Sequence, residues 1–229
     1  MSDNALGERL RAARTVKGYT LRELARQIGV SASLLSQVEN GKSQASVTNL
    51  HALVTALDIS LDELFASSDA SGRPQPTAPA VAGVTPAREH ALQPVHRSGS
   101  RPILKMAGGV TWERLSSLLG HLVDAQLVTY EPGSSSSMDG TLSRHNGTEF
   151  AYLIEGELLL RLGYEEYRLE AGDSLSFDST TPHLYENLGE TTARGVWFEL
   201  GRRVAVGLST PDSLGSPQDD AVGPPSRLH

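Results

Sequence analysis

The chain is 229 residues long, carries a net charge of −7 and contains no cysteine. Its length suits two domains better than one, and the missing cysteine excludes disulfides and thiolate ligands, leaving imidazole and oxygen as the main coordinating groups. Residues 1–66 balance seven Lys/Arg against seven Asp/Glu, so all the excess charge lies further on; the acidic total argues against a nonspecific polyelectrolyte binder, while a local basic face can still meet phosphate.

The N-terminus, "MSDNALGERLRAARTVKG", is polar and charged, and no apolar run approaches the roughly 18 residues that a membrane-spanning helix needs. A soluble cytoplasmic protein, nucleoid-associated if it binds DNA, is the expectation. Periodicity predicts five short helices over 1–66. Leu6, Leu10 and Ala13 mark the first. Thr20 and Glu23 form a capping box ahead of Leu21, Leu24, Ala25 and Ile28, a helix that Gly29 ends. Ser31 can cap a third helix carrying Leu34, Leu35 and Val38, stopped at Asn40-Gly41. Ser46 opens a fourth with Leu50, Leu53, Val54 and Leu57, and Ser60 with Glu63 boxes a fifth ending near Phe65.

Residues 67–99 read as a flexible linker: "SSDASGRPQPTAPAVAGVTPAREHALQPV" holds five prolines and six alanines without a sustained apolar period. Such a chain spans roughly 30 Å on average, so the flanking domains hold a fixed orientation only if they dock. Over 100–201 the pattern turns to short strands, "HLVDAQLVTY", "EFAYLIEGELLLRLG", "EYRLEAGDSLSF" and "ARGVWFEL", separated by turn residues that include Pro132-Gly133, Gly163 and Gly172. An antiparallel sandwich or small barrel follows. The Pro/Gly/Ser-rich acidic stretch 202–229 is expected to be a disordered tail.

The second and third helices around "IGVS" make a helix-turn-helix, whose second member can enter a major groove. At about 100° per residue, Leu34, Leu35 and Val38 fall on one side of the third helix and leave Ala32, Ser33, Ser36, Gln37 and Asn40 on the other. Gln37 can bond adenine bidentately, the serine hydroxyls can meet either partner, and the Ala32 methyl can touch thymine; Arg22, Asn40, Lys42 and Ser43 are placed for phosphates. Periodicity alone leaves open a merely solvated polar face. The string "TLRELARQIGVSASLLSQVENGKSQASVTNLHALVTALDISLDELF", above all "LSQVENGK" with "LDISLDELF", closely resembles the XRE family, the Cro and phage-repressor type of helix-turn-helix. The resemblance covers 5–66 and implies that Ala32, Ser33, Ser36 and Gln37 face bases, that Arg14 pairs with Glu39, and that the protein binds double-stranded operator DNA as a homodimer.

In the second half, "HNGTEFAYLIEGE" and "LEAGDSLSFDSTTPHLYEN" resemble the two motifs of the cupin family, a double-stranded β-helix barrel. His145, Glu149 and Gly156 fit the first motif; Gly172, Asp173, Pro182, His183 and Asn187 fit the second. Metal-binding cupins carry a further histidine two residues before the first, and Ser143 stands there. Serine is a poor ligand for a divalent transition metal at neutral pH, but His145, Glu149 and His183 remain, and two histidines with one carboxylate suffice in principle. Three readings stay open: a metal-free effector pocket lined by His145, Glu149, His183 and Tyr185, a bound divalent metal ion on the first three, or side chains that only satisfy one another. His51, His90, His96, His121 and His229 are weaker candidates, lying in a helix, the linker region, the tail or near a strand start.

The fold class is therefore multidomain α and β, an N-terminal five-helix bundle plus a C-terminal all-β barrel. A DNA-binding module joined to a pocketed barrel reads as a transcriptional regulator, not an enzyme, in which a small-molecule effector modulates operator binding. Two rivals are a metal-dependent cupin dioxygenase or isomerase that carries a helix-turn-helix, and an interaction protein whose barrel only dimerises.

Overall fold

The computed structural model describes residues 3–59, 61–65, 95–116 and 123–200. The linker up to residue 94, the tail from 202, and His90, His121 and His229 lie outside the described residues. Helices occupy the first part: α1 (Asp3–Val16), α2 (Leu21–Ile28), α3 (Ala32–Glu39), α4 (Val47–Leu57) and a short α5 (Leu61–Phe65).

Local chemistry sets most of their ends. At α2 the Thr20 hydroxyl accepts from the Glu23 amide at 3.2 Å while the Glu23 carboxylate accepts from the Thr20 amide at 2.8 Å, the reciprocal pair expected of a capping box. Gly29, at φ 75°, ends the helix in the left-handed region, which costs a glycine little. The Ser31 and Ser46 hydroxyls accept from the amides of Leu34 and Asn49 at 3.1 and 3.2 Å and so cap α3 and α4. The fifth element corrects the sequence reading. Four helices run eight residues or more, but α5 spans five, little more than one turn, so the bundle is four-helical with a terminal turn. Leu61, Leu64 and Phe65 are all buried, and that single turn suffices to cover the adjoining core.

Arg14 braces this bundle. Its Nε and Nη2 donate to the two carboxylate oxygens of Glu39 at 2.6 and 2.9 Å, and its Nη1 donates to the Tyr19 carbonyl at 2.8 Å. The pairing implied by the family resemblance is thus present, and it ties α1 to the end of α3 across a nearly buried, bidentate contact.

The strands are β1 (Ile103–Lys105), β2 (Val110–Ser116), β3 (Val123–Tyr130), β4 (Thr148–Glu155), β5 (Glu157–Leu162), β6 (Glu165–Glu170), β7 (Ser174–Asp178), β8 (His183–Glu186) and β9 (Ala193–Leu200). Every pairing between them is antiparallel. They form a six-stranded sheet in the order β1-β2-β3-β9-β4-β7 and a three-stranded sheet in the order β6-β5-β8. The run "EFAYLIEGELLLRLG" is cut at Gly156, whose φ of 78° turns the chain from one sheet into the other; a Cβ there would lie 2.5 Å from the Thr192 carbonyl. Along β4 the alternation points Glu149, Ala151 and Leu153 inward and Phe150, Tyr152 and Ile154 outward.

The two halves dock. Both the amide and the hydroxyl of Thr48, in the first turn of α4, donate to the Ser136 carbonyl at 3.1 and 3.2 Å, and the Ala107 amide donates to the Ala45 carbonyl at 2.9 Å. The barrel therefore grips the helix that follows the third helix of the bundle, not the third helix itself.

Replacing Arg14 by alanine strands the buried Glu39 carboxylate and should destabilise the helical half by roughly 3 kcal/mol. Chemical denaturation of the full chain followed by far-UV circular dichroism checks this; a loss well below 1 kcal/mol would mean that the brace contributes little.

Candidate functional site

The third helix presents a graded face. Ser33 and Gln37 are exposed, Ser36 is half-buried, and Ala32 is half-buried and packs against the core, so the outward surface is narrower than periodicity suggests. Arg22, Asn40 and Lys42 are exposed and Ser43 is half-buried. The Asn40 side-chain amide donates to the Ser36 carbonyl at 2.7 Å, a second bond to an oxygen that already accepts from the Asn40 backbone amide at 3.1 Å.

Inside the barrel, β4 and β8 bring the second constellation together. Glu149, 3% exposed, sits at its centre. Its Oε1 lies 3.0 Å from His145 Nε2 and 3.2 Å from His183 Nε2, and its Oε2 accepts from the Tyr185 hydroxyl at 2.8 Å. Three of the four residues expected to line the pocket, His145, His183 and Tyr185, converge on the carboxylate of the fourth, and Glu149, His183 and Tyr185 line the cavity itself. Burial by itself raises the Glu149 pKa, but the hydrogen bonds and charges of His145 and His183 outweigh it and bring it down to about 2. Burial likewise opposes the charge on His183, yet the hydrogen bond and charge of Glu149 leave its pKa raised above 6.5. Tyr185 is pushed well above 10 by burial and by Glu149, so it stays a hydroxyl donor.

His183 Nδ1 lies 2.9 Å from the Thr181 carbonyl, which can only accept, so Nδ1 carries the proton. The opposite nitrogen then faces the Glu149 carboxylate with a lone pair unless a cation stands between them. A proton makes His183 an imidazolium; a metal ion would take its place. Donor atoms around an ion with bonds of about 2.0–2.1 Å sit roughly 3.0–3.4 Å apart, and the 3.0 and 3.2 Å separations here match. His145, Glu149 and His183 can therefore hold one divalent metal ion. Ser143 is buried beside them in an isolated bridge with His183, each amide donating to the other's carbonyl at 2.8 Å, and it lines the same cavity. A serine hydroxyl is a poor ligand for a divalent transition metal at neutral pH.

Sequence reasoning missed one wall of this pocket. His51, set aside as helical, is buried in α4; its ring stacks on His145 at 4.4 Å with 4° between planes and meets Trp112 edge-on at 5.3 Å. Its Nε2 lies 3.6 Å from Glu199 Oε1 on β9. Nothing local separates His51 from its apolar neighbours Leu50, Leu53 and Val54, because its role depends on docking. His96 is exposed. With Val47 and His51 seated, the cavity measures about 380 Å³ out to its open mouth, much of it crevice, and its interior has room for an occupant of about one water molecule.

The Helix-turn-helix family model matches residues 10–64, and the Cupin domain model matches residues 126–199. The chain is a helix-turn-helix protein with a cupin domain. Among curated relatives it is similar to the HTH-type transcriptional regulator PuuR of Escherichia coli (strain K12), 26% identical over 82% of this chain and 91% of that protein. It is also similar to the uncharacterized HTH-type transcriptional regulator YazB of Bacillus subtilis (strain 168), 40% identical over 25% of this chain and 84% of that protein. A crystal structure of an HTH_3 family transcriptional regulator from Vibrio cholerae shares the fold, with a TM-score of 0.61 at 18% identity over 89% of this chain and 98% of that one. Both halves of this cupin-bearing chain are thus matched in one relative and in one solved structure. No helix among the described residues is long and apolar enough to cross a membrane.

The pKa shifts set a pH dependence. The lowered Glu149 pKa stabilises the metal-free fold above 4.5, a contribution lost as pH falls toward about 2; the raised His183 pKa stabilises it below 6.5, a contribution lost as pH rises through the folded value. Both are present between 4.5 and 6.5, where the metal-free protein should show its highest melting temperature in a thermal scan across pH. Metal must displace the His183 proton, so affinity for zinc should climb from pH 6 upward and level off once that proton is lost. Ser143→His should add a ligand and tighten zinc binding at least about tenfold in competition with a chromogenic chelator; unchanged affinity would mean that position 143 cannot reach the ion.

Proposed function

We propose that the protein is a sequence-specific transcriptional regulator that reads operator DNA through α2 and α3, and whose cupin pocket controls that reading. One observation carries the coupling: Val47 and His51 of α4, a helix of the DNA-reading bundle, form a wall of the cupin cavity. A docked α4 narrows the cavity, so an occupant that needs more room competes with it. A small-molecule effector would therefore favour an arrangement in which α4 has withdrawn, and by linkage operator binding and effector binding must influence one another. A coupling of about 1–3 kcal/mol, roughly 5- to 150-fold in affinity, is enough for regulation.

Ser33, Ser36 and Gln37 are assigned to base edges, with the Ala32 methyl beside them, and Arg22, Asn40, Lys42 and Ser43 to the phosphate backbone. His145, Glu149, His183 and Tyr185 are assigned to the effector or to a metal ion that organises it. A homodimer places two third helices on half-sites about 34 Å apart or a multiple of it. The outward face of β4 and β9 supports that assembly: Phe150, Tyr152, Ile154 and Leu200 are exposed there, and the Phe150 and Phe198 rings lie 6.1 Å apart on paired strands. The protein is assigned to the cytoplasm, as operator binding requires. A metal-dependent enzyme would use the same three ligands; the relative matched over both halves, PuuR, is a transcriptional regulator, which favours the regulator.

Gln37→Ala should weaken binding to an operator fragment selected in vitro by about 1–3 kcal/mol in fluorescence anisotropy, with little loss on unrelated DNA. Glu149→Ala should bind that fragment like the unaltered protein and lose the response to the pocket's occupant. An equal loss on both DNAs for Gln37→Ala would reassign that residue to the backbone.

A further inference from the structure

We infer that Gln126 is the specificity-determining donor of the cupin cavity and selects an uncharged organic effector that presents a carbonyl oxygen to its side-chain amide. The effector role rests on the regulator reading, whereas the donor and its acceptor are a property of the barrel alone. Gln126 lies on β3, is 3% exposed and lines the cavity with Val128 and Tyr130, the alternate residues on the same face of that strand. Its Nε2 is buried and finds no hydrogen-bond partner among the described residues. A buried amide donor without an acceptor costs stability, and an apolar side chain of the same length fills a barrel wall without that cost. The amide is therefore set for an acceptor that enters with the occupant.

The neighbours of Gln126 direct that donor to the cavity. Its register partners are Arg114 on β2 and Trp197 on β9, and directly paired residues share a face of the sheet. A guanidinium and an indole only donate, so both suit the carbonyl end of the amide and neither offers its Nε2 an acceptor. The rest of the wall sets the class of occupant. Trp112, Val128 and Trp197 supply apolar surface for an organic body. Among the described residues no lysine or arginine lines the cavity, while the carboxylates of Glu149 and Glu199 do, so an anionic occupant meets repulsion and no guanidinium or ammonium partner. An uncharged carbonyl, as in an amide, a lactam or a ketone, meets the donor without that conflict.

Benzamide is the probe, and both tryptophans of the chain, Trp112 and Trp197, line the cavity, so intrinsic fluorescence reports its filling. Benzamide is titrated into the full chain and into His51→Ala, whose cavity is wider by the lost imidazole. A saturable change is expected, and Gln126→Met should weaken it at least about tenfold in each protein that binds. Toluene, which lacks the carbonyl, should not distinguish Gln126→Met from the unaltered residue, and benzoate should bind at least about tenfold more weakly than benzamide. Without any probe, Gln126→Met should melt no lower than the unaltered protein, because the amide nitrogen has no bond to lose. A lower melting temperature, no saturable benzamide binding to either protein, or binding indifferent to Gln126→Met overturns the assignment. Benzoate bound as tightly as benzamide overturns the uncharged class. Binding to His51→Ala alone supports the donor site and counts against displacement of α4 by an occupant; benzamide binding without effect on operator affinity leaves the donor site standing and removes the coupling.

Discussion

Glu149 is a carboxylate held inside a barrel, and burial of that kind is tolerated only when donors surround the charge. Tyr185 takes one oxygen and the two histidines take the other. The Thr181 carbonyl fixes the His183 tautomer, so the third partner of the carboxylate must be a cation, either a proton on His183 or a metal ion in its place. From that requirement follow the depressed Glu149 pKa, the raised His183 pKa and the affinity of the pocket for positive charge. The strands do the positioning. Alternation on β4 aims Glu149 inward, and β8 brings His183 and Tyr185 to it from the other sheet.

The second constraint is the docking of α4. Thr48 donates twice to a barrel carbonyl 88 residues away, and the neighbouring turn places His51 over His145. The barrel thereby holds the bundle by a helix that does not carry the reading face. Ser33 and Gln37 stay exposed while the pocket is in contact with the same rigid bundle. The capped turns and the Arg14–Glu39 brace tie the helices of that bundle to one another.

The local elements were readable because their causes are local. Thr20 with Glu23, Ser31 and Ser46 announce helix starts through side chains that bond amides three residues on, and "ARGVWFEL" became β9 over 193–200. Short elements were less legible. β1 has three residues and β8 four, too few for an alternation to emerge, and β2 carries mixed polarity. The fifth helix, expected to end near Phe65, amounts to little more than one turn, with Leu61, Leu64 and Phe65 buried.

Taken by itself, the sequence determined the two classes of architecture, the caps of the second, third and fourth helices, the exposure of Ser33, Gln37 and Asn40 and the grouping of His145, Glu149 and His183, since each depends on spacing within one stretch of chain or on motifs that carry their own geometry. Only the tertiary structure decided that Tyr185 bonds Glu149, that Ser143 lies against His183, and that His51 and Glu199 join the pocket. Those contacts cross between sheets or between the two halves. A stretch without apolar periodicity as long as 67–99, read as a linker, leaves no trace in the sequence of where its ends will meet, and packing alone settles it.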